Sequence, residues 1–280
     1  MAPARSIPRL DRSLLEWLLF APVAGIVAVP AIVVPAIIWA RIAFHNLHPN
    51  ADPGSYLTIS RAISDPAIGE PFAFWVTIAA VLLWISVHAI LWMFIAQHPG
   101  RPAISTARDR ASRLLWAAMW VTMTATCIGM VMLSHFRLGD GPAGHRLHMI
   151  GSYVFFAGQA VTILFAAVYN GLIARAPSLL GTAVFTHRAR ARSGVAVFLA
   201  AVLYGLLFRV KSMDFGDATA WVITAYVELE TILIIVFLAY LAAFLVDVAR
   251  FVATPASGAR AAAAVGDETA SEEGVPDPVG

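Results

Sequence analysis

Six long runs of apolar residues, interrupted by few charged side chains, dominate this chain of 280 residues. A helix needs about 20 mostly apolar residues to cross the hydrocarbon core of a bilayer. Apolar residues make up 60% of the chain and charged residues 13%, whereas soluble domains have about 45–50% and about 25%. The sequence therefore predicts an all-α polytopic membrane protein built as a bundle of six transmembrane helices.

The limits of the six spans follow from where polar residues interrupt the apolar runs. The predicted spans are residues 17–40, 71–96, 114–134, 149–174, 193–210 and 218–246, within one transmembrane domain over residues 1–252. The fifth run is short, and we expect Arg192 and Arg209 to extend it by snorkelling. Residues 253–280 combine acidic side chains with Ala, Gly, Pro and Ser, which predicts a disordered acidic tail.

The basic residues are distributed unequally between the two sides of the predicted bundle. The N-terminus, the second and fourth loops and the tail together hold 13 arginines, whereas the other side holds five arginines and Lys211, the single lysine. The side richer in Arg and Lys faces the cytoplasm. Both termini and the acidic tail are therefore predicted to be cytoplasmic, and the first, third and fifth loops to lie on the outer face.

Net charge and cysteine content narrow the function classes. A net charge of +2 provides no strong field for binding nucleic acid. Cys127 is the only cysteine, so an intrachain disulfide is excluded. The expected partners are membrane lipids and a possible membrane protein. The expected location is a cell membrane, the plasma membrane in a bacterium or an endomembrane in a eukaryote, and no cofactor is predicted.

Glu230 is the most informative residue of the apolar spans. A carboxylate near the bilayer centre costs about 2.5–3.5 kcal/mol on insertion scales, so such residues usually face the interior of the bundle. Seven-residue spacing places Glu230 on one stripe of the sixth span, together with Leu233, Phe237, Tyr240, Phe244 and Asp247. This stripe predicts an inward, protonated Glu230 that hydrogen-bonds across helices, with a structural role and a role in binding or proton coupling both open.

Other polar residues of the spans receive their own interpretations. Gln159, at similar predicted depth in the fourth span, is the expected partner of Glu230, and the predicted polar core is Glu230, Gln159, Tyr240 and Asp247. Glu228 lies about 200° around the helix from Glu230 and is expected to face elsewhere, towards Arg209. His88 is interpreted as a helix-packing residue, because no second histidine lies inside a span to bind haem.

The outer face gathers most of the histidines. Its candidate site comprises Asp65, Asp140, His145 and His148. His145 and His148 are three residues apart and share a helix face, and zinc takes histidine and carboxylate ligands, which makes these two histidines weak metal candidates. No His-Glu-x-x-His motif is present, so solvated loop polarity is the alternative. We expect Asp65 to pack near His148 and to tie the first outer loop to the bundle.

Three groups of residues carry a likeness to a known family. The third span contains Cys127-Ile128-Gly129-Met130, and the fourth opens with His148-x-x-Gly151 and Phe155-Phe156. The sixth span has Glu230, Phe237, Tyr240, Phe244 and Asp247, and the first outer loop has Ile63-Ser64-Asp65. In order and spacing these resemble the DRAM–Frag–Sfk family of six-span membrane proteins, although Thr231 stands where the family usually has an aromatic residue.

The resemblance implies a lipid-linked membrane role without a defined reaction. The leading hypothesis is a non-enzymatic protein that binds or organises lipids or supports a membrane partner. One alternative is a membrane enzyme that acts on lipid head groups through the outer His and Asp residues, which would have to converge in one pocket. Another is a proton-coupled transporter that uses Glu230, although the chain lacks a detectable inverted repeat.

Overall fold

The apolar runs of the chain form long helices. The computed structural model describes residues 12–49, 58–96, 106–173, 184–211 and 213–246. The helices are α1 (Arg12–Leu47), α2 (Ile59–Ala62), α3 (Pro66–Ala96), α4 (Thr106–His135), α5 (Gly141–Ile173), α6 (Val184–Val210) and α7 (Thr219–Ala242), and a 3₁₀ turn (Gly216–Ala218) precedes α7. Asp247 and the predicted acidic tail lie outside the described residues.

All helices except α2 are long and apolar enough to cross a membrane, which confirms the prediction of a six-span, all-helical membrane protein. Large apolar side chains such as Val121, Leu199 and Trp221 are exposed on the outer surface of the bundle. An apolar surface of this kind suits hydrocarbon as the surrounding solvent. The described residues form no β-strand.

The helix of the fifth span begins about two turns earlier than the sequence predicted, at Val184 instead of residue 193. The added turns contain arginines, and the predicted span began only after these charged residues because it was defined by an uncharged run. Arg190 is buried, and its guanidinium carbon lies 4.8 Å from the centre of the Phe244 ring. Packing against an aromatic face offsets part of the cost of burying this cation.

The six long helices pack in chain order, and α7 also contacts α1, so that the bundle closes on itself. The pairing of α4 with α5 depends on close backbone approach. A Cβ atom at Gly129 would lie 2.6 Å from the backbone nitrogen of Phe155, and one at Gly151 would lie 2.6 Å from that of Leu133. Small residues allow such approach in membrane helices. Thr162 adds a 2.7 Å hydrogen bond to Thr122 across the same pair.

His88 joins α3 to α4, as the sequence interpretation of a helix-packing residue predicts. Its Nδ1 donates to the carbonyl of Trp84 at 2.5 Å, and its Nε2 lies 3.3 Å from Oγ1 of Thr124. The imidazole also packs edge-to-face against Trp120, with ring centres 4.4 Å apart. Both ring nitrogens therefore have structural contacts, and the ring packs against Trp84 as well as Trp120.

The short helix α2 covers one end of the bundle, which we call the α2 end. It lies between the end of α1 and the start of α3, and Ile59, Ala62 and Ile63 are almost completely buried against the long helices. Burial of these apolar side chains holds the segment into the bundle end. Of the described residues between the first two predicted spans, residues 41–47 continue α1, residues 59–62 form α2 and residues 66–70 begin α3, so the described parts of this predicted outer loop are largely helical.

Candidate functional site

Glu230 faces the interior of the bundle. Only 4% of its surface is exposed, and Leu233, Phe237, Tyr240 and Phe244 of the same stripe are also buried. Glu230 therefore shares the buried face of α7 that the seven-residue spacing predicts, and its carboxylate needs polar partners within the bundle.

The Glu230 carboxylate bonds to α2. Oε2 of Glu230 accepts a hydrogen bond from the backbone N–H of Ile59 at 3.2 Å. The predicted pairing with Gln159 is not formed, because Gln159 lines other cavities and its buried Oε1 has no hydrogen-bond partner among the described residues. The difference arises because α2 reaches into the bundle and brings a backbone donor that no side-chain pattern announces.

Two cations lie near this carboxylate. Arg41 of α1 interacts electrostatically with Glu230, and its Nη2 donates to the carbonyl of Val227 at 3.4 Å. Lys211 follows α6 and also interacts electrostatically with Glu230. Burial lowers the pKa of the Lys211 ammonium, and the attraction of Glu230 opposes this shift. The α2 end thus combines one buried carboxylate with two positive charges.

Lys211 is held over two aromatic rings. Its Nζ lies 4.1 Å from the centre of the Tyr226 ring and 4.4 Å from the centre of the Phe208 ring. Tyr226 in turn stacks on Tyr204, with ring centres 5.3 Å apart. Aromatic faces attract cations, and the attraction grows when water is excluded. The rings hold the single lysine of the chain at the wall of a cavity.

That cavity occupies the α2 end of the bundle and has a volume of about 380 Å³. Most of its wall is apolar, with residues such as Val33, Phe155, Ala160 and Ile234. Its polar lining comes from Thr58, Ser60, His148, Ser152, Tyr153, Tyr204, Lys211, Tyr226 and Glu230. Ligand pockets span about 300–1,000 Å³ and combine apolar walls with a few polar groups, so this cavity is the candidate binding site.

The cavity reaches the surface of the bundle between α5 and α6. Tyr153 of α5 and Val202 of α6 both line it, and 50% and 44% of their surfaces are exposed. Ala157 and Gly205 also line it and are exposed on the same two helices. Because α5 and α6 are spans, this opening faces the region that hydrocarbon would occupy.

His148 stands in the cavity wall with both ring nitrogens engaged. Its Nδ1 lies 2.7 Å from the carbonyl oxygen of Phe136, and its Nε2 lies 3.0 Å from Oγ of Ser60. A carbonyl oxygen can only accept, so Nδ1 carries a proton. In the neutral ring Nε2 is then an acceptor, and the hydroxyl of Ser60 donates to it.

The predicted contact between Asp65 and His148 is not formed. Oδ2 of Asp65 lies 2.9 Å from Nε2 of His48, and its Oδ1 accepts the backbone N–H of Ala67 at 2.9 Å. Both bonds lower the pKa of the Asp65 carboxyl below its usual range, and the bond from Ala67 has the larger effect. Asp65 caps the start of α3, where a carboxylate satisfies a free backbone donor, and His148 bonds Ser60 instead.

The remaining residues of the predicted outer site do not converge either. Asp140 accepts from the backbone N–H of Arg137 at 2.9 Å, and its Oδ1 lies 3.4 Å from Nε of the same arginine. His145 is exposed, whereas His148 is buried. Among the described residues, no group of three or more His, Cys, Asp and Glu side chains could hold a metal ion.

Two other members of the predicted polar core, Gln159 and Tyr240, do not line the cavity that contains Glu230. Gln159 and Tyr240 line a second, smaller cavity of about 60 Å³. The buried hydroxyl of Tyr240 has no hydrogen-bond partner in the described part of the chain, and it packs beside Gly194 of α6. These two residues are therefore separate from the Glu230 site. Asp247 lies outside the described residues.

Glu228 is exposed on the outer surface of α7, and Arg209 is exposed on α6. The structure forms no ion pair between these two described residues, so the predicted contact is wrong. Glu230 and Glu228 point in different directions, as their helical spacing predicts.

Sequence reasoning did not identify Ser60 and Lys211 as parts of the site. Ser60 precedes the Ile63-Ser64-Asp65 motif by only three residues, and Lys211 is the single lysine of an arginine-rich chain. Both features distinguish these residues in the sequence, but neither indicates a position beside Glu230 or His148.

In comparisons with known proteins, no family model matches the chain, and no curated protein or solved structure is significantly similar to it.

Proposed function

We propose that this protein binds a membrane lipid in the cavity at its α2 end, and that its role is lipid-linked, as the resemblance to the DRAM–Frag–Sfk family implies. The observation that carries the proposal is an apolar cavity of about 380 Å³ with a polar end and an opening between two membrane spans. A lipid has the same division into an apolar and a polar part.

The apolar part of the cavity suits an acyl chain. Its walls include Val33 of α1, Phe155 and Ala160 of α5 and Ile234 of α7. A chain entering between α5 and α6 would pass Tyr153 and then meet these apolar side chains. An acyl chain that leaves the bilayer for this cavity exchanges one apolar environment for another, so the hydrophobic effect contributes little to the binding free energy. Close packing and the polar end of the cavity must therefore supply the selectivity.

The polar end suits an anionic or ester-bearing group. Lys211 offers a positive charge beside Tyr226, and the polar residues Ser60 and Ser152 also line the cavity. An ammonium binds phosphate oxygens as a compact point charge. We therefore expect a glycerophospholipid with an anionic head group to bind more tightly than a zwitterionic one.

The orientation and surroundings of the bundle belong to the same proposal. The 13 arginines on one side support cytoplasmic termini and an α2 end on the outer face of a cell membrane. The lipid would then enter from the outer leaflet. Transport through Glu230 is not favoured, because the cavity that reaches Glu230 has mostly apolar walls.

Lipid analysis of the purified protein tests the proposal. The full chain is extracted in mild detergent, and bound lipids are measured by native mass spectrometry and after solvent extraction. We expect lipid at near one molecule per chain, and rebinding of phosphatidylglycerol in preference to phosphatidylcholine.

Two tryptophan variants on α5 provide the matched comparison. Ala157→Trp fills the opening of the cavity, whereas Val168→Trp is equally lipid-facing but lies away from it. Ala157→Trp should lose most of the bound lipid, and Val168→Trp should keep it. Equal lipid retention in both variants and in the wild type would refute binding in this cavity.

A further inference from the structure

The hydroxyls that line the cavity differ in what they bond. Ser152 donates to the carbonyl of His148 within its own helix at 3.0 Å, and Oγ1 of Thr58 accepts the backbone N–H of Arg61 as the cap of α2. The hydroxyl of Tyr204 donates to that of Tyr226 at 3.3 Å. Only Ser60, among these described lining hydroxyls, is bonded to an imidazole.

Three features of the Ser60–His148 pair match an activated nucleophile. The separation of 3.0 Å between Oγ and Nε2 lies within the reach of about 2.6–3.2 Å that proton transfer needs. The Phe136 carbonyl fixes the other ring nitrogen, and a base oriented by a third group is the usual arrangement in nucleophilic catalysis. Both Ser60 and His148 line the cavity, so a bound molecule can meet the hydroxyl.

The surroundings hold Ser60 in place. Ile59, the residue before it, donates its backbone N–H to the buried carboxylate of Glu230, and Ile63, three residues later, is almost fully buried. His148 is equally fixed, because only 1% of its surface is exposed. Groups that packing already holds in the catalytic geometry lose little further entropy when the reaction takes place. Glu230 is therefore a positioning residue for Ser60.

We propose that Ser60 and His148 form a catalytic pair that transfers the acyl group of an ester lipid bound in the cavity. The proposal rests on lipid binding in this cavity and adds a reaction to it. The ester of a glycerophospholipid joins its apolar chains to its polar head group, and Ser60 belongs to the polar lining of an otherwise apolar cavity.

The first half of the reaction forms an acyl-enzyme. Oγ of Ser60 attacks the ester carbonyl carbon while its proton passes to Nε2 of His148, and the carbonyl electron pair moves onto oxygen. The positive charge of Lys211 in the same cavity favours this oxyanion. When the oxyanion collapses, the ester C–O bond breaks and the proton on Nε2 goes to the leaving oxygen, which releases a lysolipid.

The second half restores the enzyme. Water, or the hydroxyl of a second lipid, gives its proton to Nε2 and attacks the acyl carbon of acyl-Ser60. The bond between Oγ and the acyl carbon then breaks, and the proton returns from Nε2 to Oγ. The products are a fatty acid in the first case and a newly acylated lipid in the second, and neither route needs an oxidant or a reductant.

A long-chain alkyl fluorophosphonate with a fluorescent tag tests the pair directly, because it phosphonylates an activated serine and releases fluoride. The full-length protein in lipid nanodiscs should be labelled with one tag per chain, and peptide mass spectrometry should locate the tag on Ser60. Ser60→Ala should abolish labelling, and Ser193→Ala, which alters a serine of α6 that does not line the cavity, should leave it unchanged. His148→Asn should slow labelling by about 10²–10⁴-fold, the usual contribution of a general base.

The same samples are incubated with phosphatidylglycerol carrying a labelled acyl chain, and the wild type should form labelled fatty acid or a newly acylated lipid. Bound lipid and thermal unfolding are measured for each variant, so that loss of labelling is separated from loss of fold. Labelling of Ser60→Ala at the wild-type rate would overturn the assignment. A wild type that retains lipid but is neither labelled nor active would overturn the reaction and leave lipid binding intact. A wild type without bound lipid would refute the proposed function instead.

Discussion

The carboxylate of Glu230 accepts the backbone N–H of Ile59 at 3.2 Å, across 171 residues of sequence. This bond ties α7 to α2 and thereby fixes the cover of the cavity. It also places the next residue, Ser60, against His148. One buried acceptor on α7 thus helps to fix the position of α2, which lies 171 residues earlier in the sequence.

Substitution of Glu230 should separate hydrogen bonding from charge. Glu230→Gln keeps an oxygen that can accept from Ile59, so the protein should retain its thermal stability. Glu230→Leu leaves a buried N–H without a partner and should cost about 1–3 kcal/mol of unfolding free energy. Thermal unfolding in detergent, followed by tryptophan fluorescence, measures both. Identical melting temperatures for the wild type and the two variants would contradict this account.

The close approach of α4 and α5 should make Gly129 sensitive to a single methyl group. Gly129→Ala would place a Cβ atom 2.6 Å from the Phe155 nitrogen and 2.8 Å from the Gly151 carbonyl oxygen. Backbone atoms cannot rotate away, so we expect a loss of about 1–3 kcal/mol, as in other overpacked cores. The control is Gly205→Ala, since a Cβ atom there meets nothing within 4 Å, and the higher helix propensity of alanine should preserve or raise stability. A larger loss at Gly205 than at Gly129 would be inconsistent with the packing.

Lys211 should make stability depend on pH in the alkaline range. Burial lowers its pKa in the folded protein below the ordinary value of 10.5, so the unfolded chain binds more protons between the two values. Stability therefore rises as pH increases through this window, and the cost of burying the charge is fully present below it. The melting temperature of the wild type should rise relative to Lys211→Met as pH increases from neutral towards 10.5.

Lys211→Arg is the control for this pH dependence, because arginine stays charged throughout the range. Its melting temperature should run parallel to that of Lys211→Met. If the wild type also ran parallel to both variants, the pKa of Lys211 would be unperturbed and its burial would carry no electrostatic cost.

The orientation of the bundle is tested by cysteine labelling. Cys127 is buried and is replaced by alanine to give a background without cysteine. Single cysteines at the exposed positions Asp140 and Asp217 should react with a membrane-impermeant maleimide on intact cells. A cysteine at Ala189 should react only after lysis. External reaction at Ala189 would reverse the proposed topology.

The apolar runs of the sequence determined that the chain forms six membrane helices, because hydrocarbon leaves no other way to satisfy the backbone of such segments. The seven-residue stripe similarly determined that Glu230 faces inward, since helical periodicity alone relates it to Phe237 and Phe244. These features are local, and a short window of sequence contains the information they need.

Only the tertiary structure decided which groups meet Glu230 and His148. The backbone N–H of Ile59 and the hydroxyl of Ser60 come from a four-residue helix whose burial depends on contacts with several distant helices. A backbone donor has no signature in the side-chain pattern, and loop placement depends on long-range packing rather than on local periodicity. For the same reason Asp65, which the sequence assigned to His148, instead caps α3 and pairs with His48.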